Sequence, residues 1–254
     1  MDLEICVDSV ESAIAAEDGG AQRVELCSAL GEGGITPSAG LLRTVRSRIG
    51  IGVHVMIRPR GGDFLYSDDE LEVMRGDIKF AAQCGAKGVV FGLLTAEGDI
   101  DVEKTRALVE LAAPMEVTFH RAIDMSRDPE AAVQDVIRSG ADRILTSGAE
   151  QSAMEGISRI SRMIDDARGA VRIMVCGGVR ADNVQEIAQA TGATEFHAAL
   201  RNPAPSPVIY QNHGLHLGSA DSDEYGRQVV LAEDVRSLRD AIEAITSDRD
   251  AARI

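Results

Sequence analysis

The chain has 254 residues, of which 44% are hydrophobic, so it is long enough to bury one sizeable core. It carries 26 basic and 41 acidic residues, which gives a formal net charge of -15. Such a surface repels phosphate backbones and anionic lipids, so we expect no nucleic-acid or membrane partner, although a local pocket can still be basic. No apolar stretch approaches the roughly 20 residues that span a bilayer, and the N-terminus does not resemble a signal peptide. We therefore expect a cytoplasmic protein with reduced thiols.

Short β-rich runs alternate with segments of helical periodicity along the chain. The eight runs are LEICV (3–7), RVELC (23–27), GVHVMIRP (52–59), GVVFGLL (88–94), EVTFHRA (116–122), RILTSG (143–148), RIMVCGG (172–178) and EFHAAL (195–200). This alternation implies right-handed crossovers and a parallel sheet. Eight units predict an α/β fold, a single (β/α)8 barrel of the TIM type. An open doubly wound sheet is the alternative, weakened because no G-x-G-x-x-G follows the first run.

The last part of the chain differs in composition. Residues 201–227 are rich in Pro, Gly, Ser and Asp, and the segment is long for a structureless connection. We predict one domain over residues 1–254, with strand-to-helix units in 3–200, a long functional or flexible loop in 201–230, and a final helix at about 232–246.

Polar residues occupy strand positions where a barrel buried on both faces should be apolar. Five runs carry them at alternate positions, which places them on one face. The residues are Glu4, Cys6 and Asp8, then Glu25 and Cys27, then His54, Met56 and Arg58, then Thr118 and His120, and finally Glu195 and His197. Unpartnered buried charges are costly, so these groups either satisfy one another as a polar plug or line a cavity. For the set as a whole we favour the cavity.

Arginines follow two of these runs. Arg58 and Arg60 come at the end of the third run, and Arg121 and Asp124 come at the end of the fifth. Guanidinium groups match carboxylate and phosphate oxygens, so two such loops on one rim indicate an anion-binding or sugar-binding mouth. A salt bridge to a neighbouring acid is the structural alternative for each arginine.

A glycine turn follows the seventh run, in CGGV (176–179). Many barrels hold a phosphate between glycine-rich turns after strands seven and eight. The eighth run ends in HAALRNP without a glycine, so only half of that signal is present.

Two cysteines, Cys6 and Cys27, fall on adjacent predicted strands at the same end and on the same face. Two thiolates in this arrangement can bind a soft ion such as Cu(I), although a buried cysteine is more often a small core residue. Donors for a harder metal are also present, namely His54, His120 and His197 with Glu4 or Glu25.

Long segments of the chain match the sequence pattern of a known family. They lie in residues 3–38, 56–70, 117–125, 143–148 and 192–197, with a weaker match at DEYGR (223–227). These segments resemble the CutC family of copper homeostasis proteins over roughly residues 3 to 200. The resemblance implies a TIM barrel and a cytosolic Cu(I)-binding function. It also implies that Cys6 and Cys27 are the metal ligands, because they match the cysteine pair held responsible in animal members.

Two functions of different classes follow. The first is Cu(I) binding by Cys6 and Cys27 for buffering or trafficking of the ion. The second is an enzyme that does isomerase, lyase or aldol-type chemistry on a small anionic or sugar-like molecule. In that alternative Glu25, His120 and Asp124 are catalytic.

The enzyme hypothesis assigns each polar residue a role. Glu25 or His120 moves a proton and Asp124 orients a partner. The substrate-binding residues are Glu4, His54, Arg58, Arg60, Arg121 and His197. No lysine lies on a predicted strand, so a Schiff base is not expected, and no organic cofactor is predicted. We also expect a homo-oligomer, specifically a dimer.

Overall fold

Eight parallel strands close into a barrel in sequence order, with helices between them, as predicted for a TIM-type fold. The structure is a computed structural model that describes residues 1–212, 214–215 and 225–251. The barrel strands are β1 (Asp2–Val7), β2 (Arg23–Leu26), β3 (Gly52–Met56), β4 (Gly88–Phe91), β5 (Glu116–Phe119), β6 (Arg143–Thr146), β7 (Arg172–Val175) and β8 (Glu195–Ala198). The helices are α1 (Val10–Asp18), α2 (Ala39–Arg48), α3 (Asp68–Gln83), α4 (Val102–Ala112), α5 (Pro129–Ser139), α6 (Ala153–Ala167), α7 (Val184–Thr191) and α8 (Ala232–Ala251).

Side-chain caps determine where most of these helices begin. The capping side chain accepts a hydrogen bond from a first-turn N–H group, which would otherwise have no partner. These residues are Ser9, Ser38, Ser67, Asp101, Asp128 and Ser152. Each helix therefore begins within a few residues of the preceding strand or loop, and the strand ends are held at one face of the barrel.

The two faces of each strand have different chemistry. Outward-facing residues such as Ile5, Val24 and Phe119 pack under the helices in one large apolar core. The alternate positions point into the barrel, and the register sets polar ones side by side, with Cys6 opposite Glu25. The core therefore lies between the barrel and the helices, and the barrel interior is left for polar groups.

The predicted loop over 201–230 differs from the structure at both ends. Residues Arg201–Ala204 form β9 and pair antiparallel with β10, Arg227–Val230. The N–H of Val230 donates to the Ser12 hydroxyl at 3.1 Å, which anchors the hairpin to α1. Pairing and anchoring thus override the low strand propensity of the Pro- and Asn-containing β9. Part of the segment between β9 and β10 lies outside the described residues.

The final helix, α8, is also longer than the predicted 232–246. Among the described residues, no helix combines the length and the apolar character that crossing a bilayer requires.

Candidate active site and thiol pair

The N-terminal half of the barrel interior is filled by a network of charges, buried except for half-exposed Glu116, here called the ionic layer. The ionic layer consists of Glu4, Arg23, His54, Glu116, Arg143 and Glu195. Arg23 donates to Glu4 at 2.8 Å and to Glu195 at 2.6 Å. Arg143 donates to Glu195 at 2.5 Å and to Glu116 at 3.2 Å. In this half of the barrel the charges satisfy one another, so the polar-plug alternative describes it correctly.

Two of the predicted substrate-binding residues belong to the ionic layer and do not line a cavity. His54 lies 3.7 Å from Glu4 and 3.6 Å from Glu116, and burial lowers its pKa. The ring has room because β4 carries Gly88 beside it, where an added Cβ would lie 2.8 Å from the imidazole. Burial alone would raise the pKa of Glu4, but His197 and Arg23 outweigh it and hold that pKa far below its usual range.

Above the ionic layer, the barrel opens at the C-terminal ends of the strands into a cavity of about 270 Å³. Its charged and imidazole-bearing lining residues are Glu25, Arg58, His120, Arg121, Arg180 and His197. With Cys6, the structure therefore brings together six of the predicted site residues at this cavity and adds Arg180.

The thiol pair lies at the side of this cavity. The Sγ atoms of Cys6 and Cys27 are 3.5 Å apart, and the Cys6 thiol donates to Oε2 of Glu25 at 3.2 Å. Cys6 lines the cavity, whereas Cys27 is fully buried behind it and packs with Met56. The hydrogen bond with Cys27, burial and the Glu25 charge all raise the pKa of Cys6 well above its usual value. The Cys6 thiol is therefore protonated at neutral pH without a metal.

Glu25, His197 and Glu4 form a chain of buried titratable groups. His197 Nδ1 lies 2.8 Å from Oε1 of Glu4, and its Nε2 lies 3.9 Å from Oε2 of Glu25. Burial raises the pKa of Glu25. Burial opposes the charge on His197, but Glu25 and Glu4 outweigh it and raise the His197 pKa. Oε1 of Glu25 is buried and has no hydrogen-bond partner among the described residues. The group can therefore take up or release a proton at the cavity wall.

Two sets of donor atoms lie close enough to hold one metal ion, judged over the described part of the chain. One is Cys6, Glu25 and Cys27, and the other is Glu4, Glu25 and His197, each with its atoms within 4.8 Å of one another. The first is the softer set, because two of its donors are sulfur. The other two histidines proposed as hard-metal ligands, His54 and His120, belong to neither set.

His120 is a neutral hydrogen-bond donor in this environment. Its Nδ1 accepts from the Ala122 N–H at 3.2 Å, so the neutral ring carries its proton on Nε2. Nε2 is buried without a partner among the described residues. Burial, followed by the nearby Arg58 charge, lowers the His120 pKa to about 3. The ring fits only because β4 is followed by Gly92, where an added Cβ would lie 2.6 Å from Nδ1.

Arg58 and Arg60, paired in the prediction, have separate roles. Arg58 is buried and donates to the carbonyls of Glu32 and Gly62 at 2.7 Å and 2.8 Å, so it joins two loops over the cavity. Its Nε has no partner among the described residues. Arg60 does not line the cavity, and its guanidinium is bound to Glu70 at 2.5 Å and to other groups of its own loop.

Asp124 is a positioning residue that does not line the cavity. Its carboxylate accepts from Arg121 Nε at 2.7 Å, from the Ser147 N–H at 3.1 Å and from the Ala149 N–H at 3.0 Å. Arg121 also donates to the Ser147 hydroxyl at 2.7 Å. The carboxylate thus holds the guanidinium of Arg121 in place, and the role predicted for Asp124 stays a prediction.

Arg180 lines the cavity but is not among the predicted site residues, and the glycine turn before it was predicted only as half of a phosphate-binding signal. Gly177 and Gly178 have φ angles of +93° and +76°, which non-glycine residues rarely adopt. The turn carries the chain across the cavity mouth and sets Arg180 on its rim. The CGGV motif was the available signal.

A closed parallel barrel with a cavity at the C-terminal ends of its strands defines a protein of the TIM-barrel fold. The family model described as CutC family matches residues 1–202. A Chromobacterium violaceum protein with the name family protein CutC is 50% identical over 241 residues, covering 95% of this chain and 98% of that protein. The human copper homeostasis protein cutC homolog is 49% identical over 237 residues, covering 93% and 87%. The chain belongs to the CutC family.

Solved structures agree with the fold. A CutC structure from Streptococcus agalactiae superposes with a TM-score of 0.74 at 34% identity, covering 78% of this chain and 97% of that one. Thiamine phosphate pyrophosphorylase from Pyrococcus furiosus has a TM-score of 0.59 at 14% identity, with 96% of each chain covered, and shares the fold alone.

Proposed function

We propose that the chain binds Cu(I) through the thiolates of Cys6 and Cys27 and serves cytoplasmic buffering or trafficking of the ion. The observation that carries the proposal is the 3.5 Å separation of two reduced Sγ atoms on adjacent strands. Thiolates are ligands that Cu(I) prefers, and the thioether of Met56 packs in the same cluster. The human and mouse relatives carry the name copper homeostasis protein cutC homolog, which supports the same function.

Loading the ion requires the thiols to lose their protons. Glu25 is placed to receive the proton of Cys6 and to release it into the cavity, because its Oε2 already accepts the Cys6 hydrogen bond at 3.2 Å and the residue lines the cavity. His197 lies 3.9 Å from Glu25, and when protonated it offsets the negative charge of that carboxylate. Cys6 faces the cavity and Cys27 does not, so the ion would meet Cys6 first.

The test is an anaerobic titration of the reduced protein with Cu(I) against a competing chelator. The variants are the Cys6→Ser, Cys27→Ser double mutant and a matched control, Cys176→Ser. Cys176 is a buried thiol that lines the same cavity, so its loss makes the same chemical change outside the pair. We expect tight one-to-one binding by wild type and the control and its loss in the double mutant. Equal binding by all three proteins would refute the assignment.

A second candidate is favoured by the cavity itself. Its space of about 270 Å³ and its three arginines, Arg58, Arg121 and Arg180, exceed what a single soft cation needs. We propose that the cavity also suits proton-transfer chemistry of the isomerase, lyase or aldol type on a small anionic or sugar-like molecule. Glu25 would move the proton, and the Nε2–H of His120 would hold a substrate oxygen.

This candidate is tested by hydrogen exchange. The protein is incubated in D2O with a panel of small carboxylated and phosphorylated molecules, and the panel is read by mass spectrometry. Uptake of one deuterium with wild type and with Cys27→Ser, but not with Glu25→Gln, would establish the activity. Uptake at the same rate with Glu25→Gln would exclude Glu25 as the proton carrier, and no uptake from any compound would remove the support for this chemistry.

We further propose that the protein works as a homo-dimer. Ile209 and Tyr210 are 100% and 79% exposed in the segment after β9, and such apolar exposure supports an association surface. Sedimentation velocity gives the mass directly. A monomer at micromolar concentration would contradict the proposal.

A further inference from the structure

The cavity is locally basic although the chain as a whole is strongly acidic. Its lining includes three arginines and one carboxylate, Glu25, in a protein whose formal net charge is -15. His120 is neutral, since burial lowers its pKa to about 3. Cu(I) binding by the two cysteines uses none of the arginines, so the positive charge calls for a separate explanation.

The positive charge is concentrated beside unpartnered backbone donors between β7 and β8. Gly177, Gly178 and Ala199 all line the cavity. Their N–H groups have no hydrogen-bond partner among the described residues. The nearest atom to a Cβ added at Gly178 is 4.0 Å away, so the turn is open there, whereas a Cβ added at Gly177 would lie 2.9 Å from Cβ of Ser147. Three backbone donors therefore remain available at one edge of the cavity.

Two arginines complete this edge. Arg121 is fixed by Asp124 and Ser147 through its Nε and one terminal nitrogen, which leaves the other terminal nitrogen without a partner among the described residues. Arg180 uses one terminal nitrogen to donate to the Val179 carbonyl at 2.8 Å, and its remaining donors are similarly unengaged. Both side chains are partly exposed to the cavity mouth, so an incoming anion can reach them.

We propose that this edge is a subsite for a phosphate group, formed by the N–H groups of Gly177, Gly178 and Ala199 with the guanidinium groups of Arg121 and Arg180. Backbone N–H groups at a glycine turn and arginine forks are the two standard donors to phosphate. The natural ligand would then be a phosphorylated small molecule. The inference rests on the second candidate function, that the cavity takes an organic substrate.

The opposite wall of the cavity provides a second observation that points to such a ligand. Arg58 Nε and His120 Nε2 belong to lining residues, are buried, and have no partner among the described residues. Buried donors of this kind are normally satisfied, so they indicate an acceptor that the protein does not supply itself. Hydroxyl or carbonyl oxygens on the rest of the ligand would meet them, within reach of Glu25.

A phosphate fits this edge better than a carboxylate does. The residues that line it supply three backbone N–H groups and two guanidinium groups, and a phosphate monoester offers three terminal oxygens against two in a carboxylate. The dianion also gains more than a monoanion from two fixed positive charges.

The test uses inorganic phosphate as the probe. Binding is measured by isothermal titration at low ionic strength, with acetate as the comparison anion, for wild type, Arg180→Gln and Arg236→Gln. Arg236 is an exposed arginine on α8 that donates to the Asp18 carbonyl, so its variant makes the same charge change away from the cavity. Arg180 is exposed, so its replacement leaves folding intact.

We expect saturable phosphate binding that is weakened at least about fivefold in Arg180→Gln and is unchanged in Arg236→Gln. Equal weakening in both arginine variants, no saturable binding, or tighter binding of acetate than of phosphate would overturn the subsite. Failure of the candidate enzyme function can be distinguished from failure of the phosphate subsite. In that case phosphate binds with the expected dependence on Arg180, while no phosphorylated compound in the D2O panel exchanges hydrogen.

Discussion

His197 Nδ1 lies 2.8 Å from Oε1 of Glu4, and this contact joins the ionic layer to the cavity above it. Glu4 is fully buried and is bound from the other side by Arg23. The imidazole is thereby held with its Nε2 next to Glu25. The charges that stabilise the lower half of the barrel therefore also set the electrostatic environment of the thiol pair and of the proposed proton carrier.

The affinity for Cu(I) should rise with pH. Since the pKa of Cys6 is well above its usual value, metal binding must displace the Cys6 proton throughout the neutral range. For each proton that Cu(I) displaces, the apparent affinity for Cu(I) rises about tenfold with each unit of increase in pH. Chelator competition at pH 6, 7 and 8 measures the slope. An affinity independent of pH would mean that Cys6 is already ionised or is not a ligand.

Replacing a buried arginine of the ionic layer should strongly lower the free energy of unfolding. Arg143 is 1% exposed and contacts Glu195, Glu116 and Thr118. Arg143→Met takes from the buried carboxylate of Glu195 one of its two close guanidinium partners and takes another from half-exposed Glu116, and we expect a loss of about 3–5 kcal/mol in the free energy of unfolding. The matched control is Arg172→Met, because Arg172 is half-exposed and contacts Glu116 from the surface, where a loss below about 1 kcal/mol is expected.

Urea unfolding of the two variants and wild type measures both changes. Equal, small losses would show that the network is hydrated and contributes little. Removing one partner of an ion pair differs from replacing the whole pair by apolar residues. The result therefore measures the cost of taking one arginine out of the network and not the net contribution of the ionic layer to stability.

His120 should make the protein less stable as the pH falls. Its folded pKa of about 3 is below the unfolded value of 6.5, so the unfolded chain binds the proton first. The contribution of neutral His120 to the free energy of unfolding is fully present above pH 6.5 and decreases as the pH drops towards 3. Between pH 7 and pH 5 the loss is about 2 kcal/mol by linkage. His120→Asn keeps an acceptor for the Ala122 N–H and should remove this part of the pH dependence, as measured by urea unfolding at both pH values. An unchanged difference between pH 7 and pH 5 would contradict the low pKa.

Arg58 should not be replaceable by lysine. Its guanidinium donates to three backbone carbonyls at once, those of Glu32, Gly34 and Gly62, which a single ammonium group cannot span. We expect Arg58→Lys to lower the free energy of unfolding by about 2–4 kcal/mol, since two or more charged hydrogen bonds are lost in a buried site. Arg60→Lys, which alters an exposed cluster, should cost less than about 1 kcal/mol. The midpoints of thermal unfolding compare the two variants, and equal shifts would refute the buried role of Arg58.

The barrel was predictable because its signals are local and repeated. Alternating runs and helical segments indicated the eight units, and the residues observed to cap the helices, such as Ser9, Asp101 and Asp128, are of the types that commonly do so. All the predicted runs but the first extended past the observed strands, because buried residues follow the strand ends and the first of them can still donate to the neighbouring strand, as Cys27 does to Val7. Pairing depends on the neighbouring strand, which the sequence of one run does not contain.

The site was predictable in composition and only partly in arrangement. Period-two alternation correctly placed Cys6, Glu25, His120 and His197 in the barrel interior, but it contains no information on depth. Depth is what separates Glu4 and His54, which lie in the ionic layer, from the residues that line the cavity. The conformations of loops decide the rest. Arg60 turns back onto its own loop, and Arg180 reaches the cavity through a turn whose geometry depends on two glycines.

The ionic layer also determines how anything can reach or leave the thiols. It fills the N-terminal half of the barrel, and none of its members lines the cavity. The interior is therefore a pocket that opens at the C-terminal ends of the strands and not a channel. Whatever is delivered to Cys6 must return by the path along which it came. A molecule that delivers the ion and one that receives it would therefore have to bind the same rim at different times. An anion bound at that rim would slow both steps.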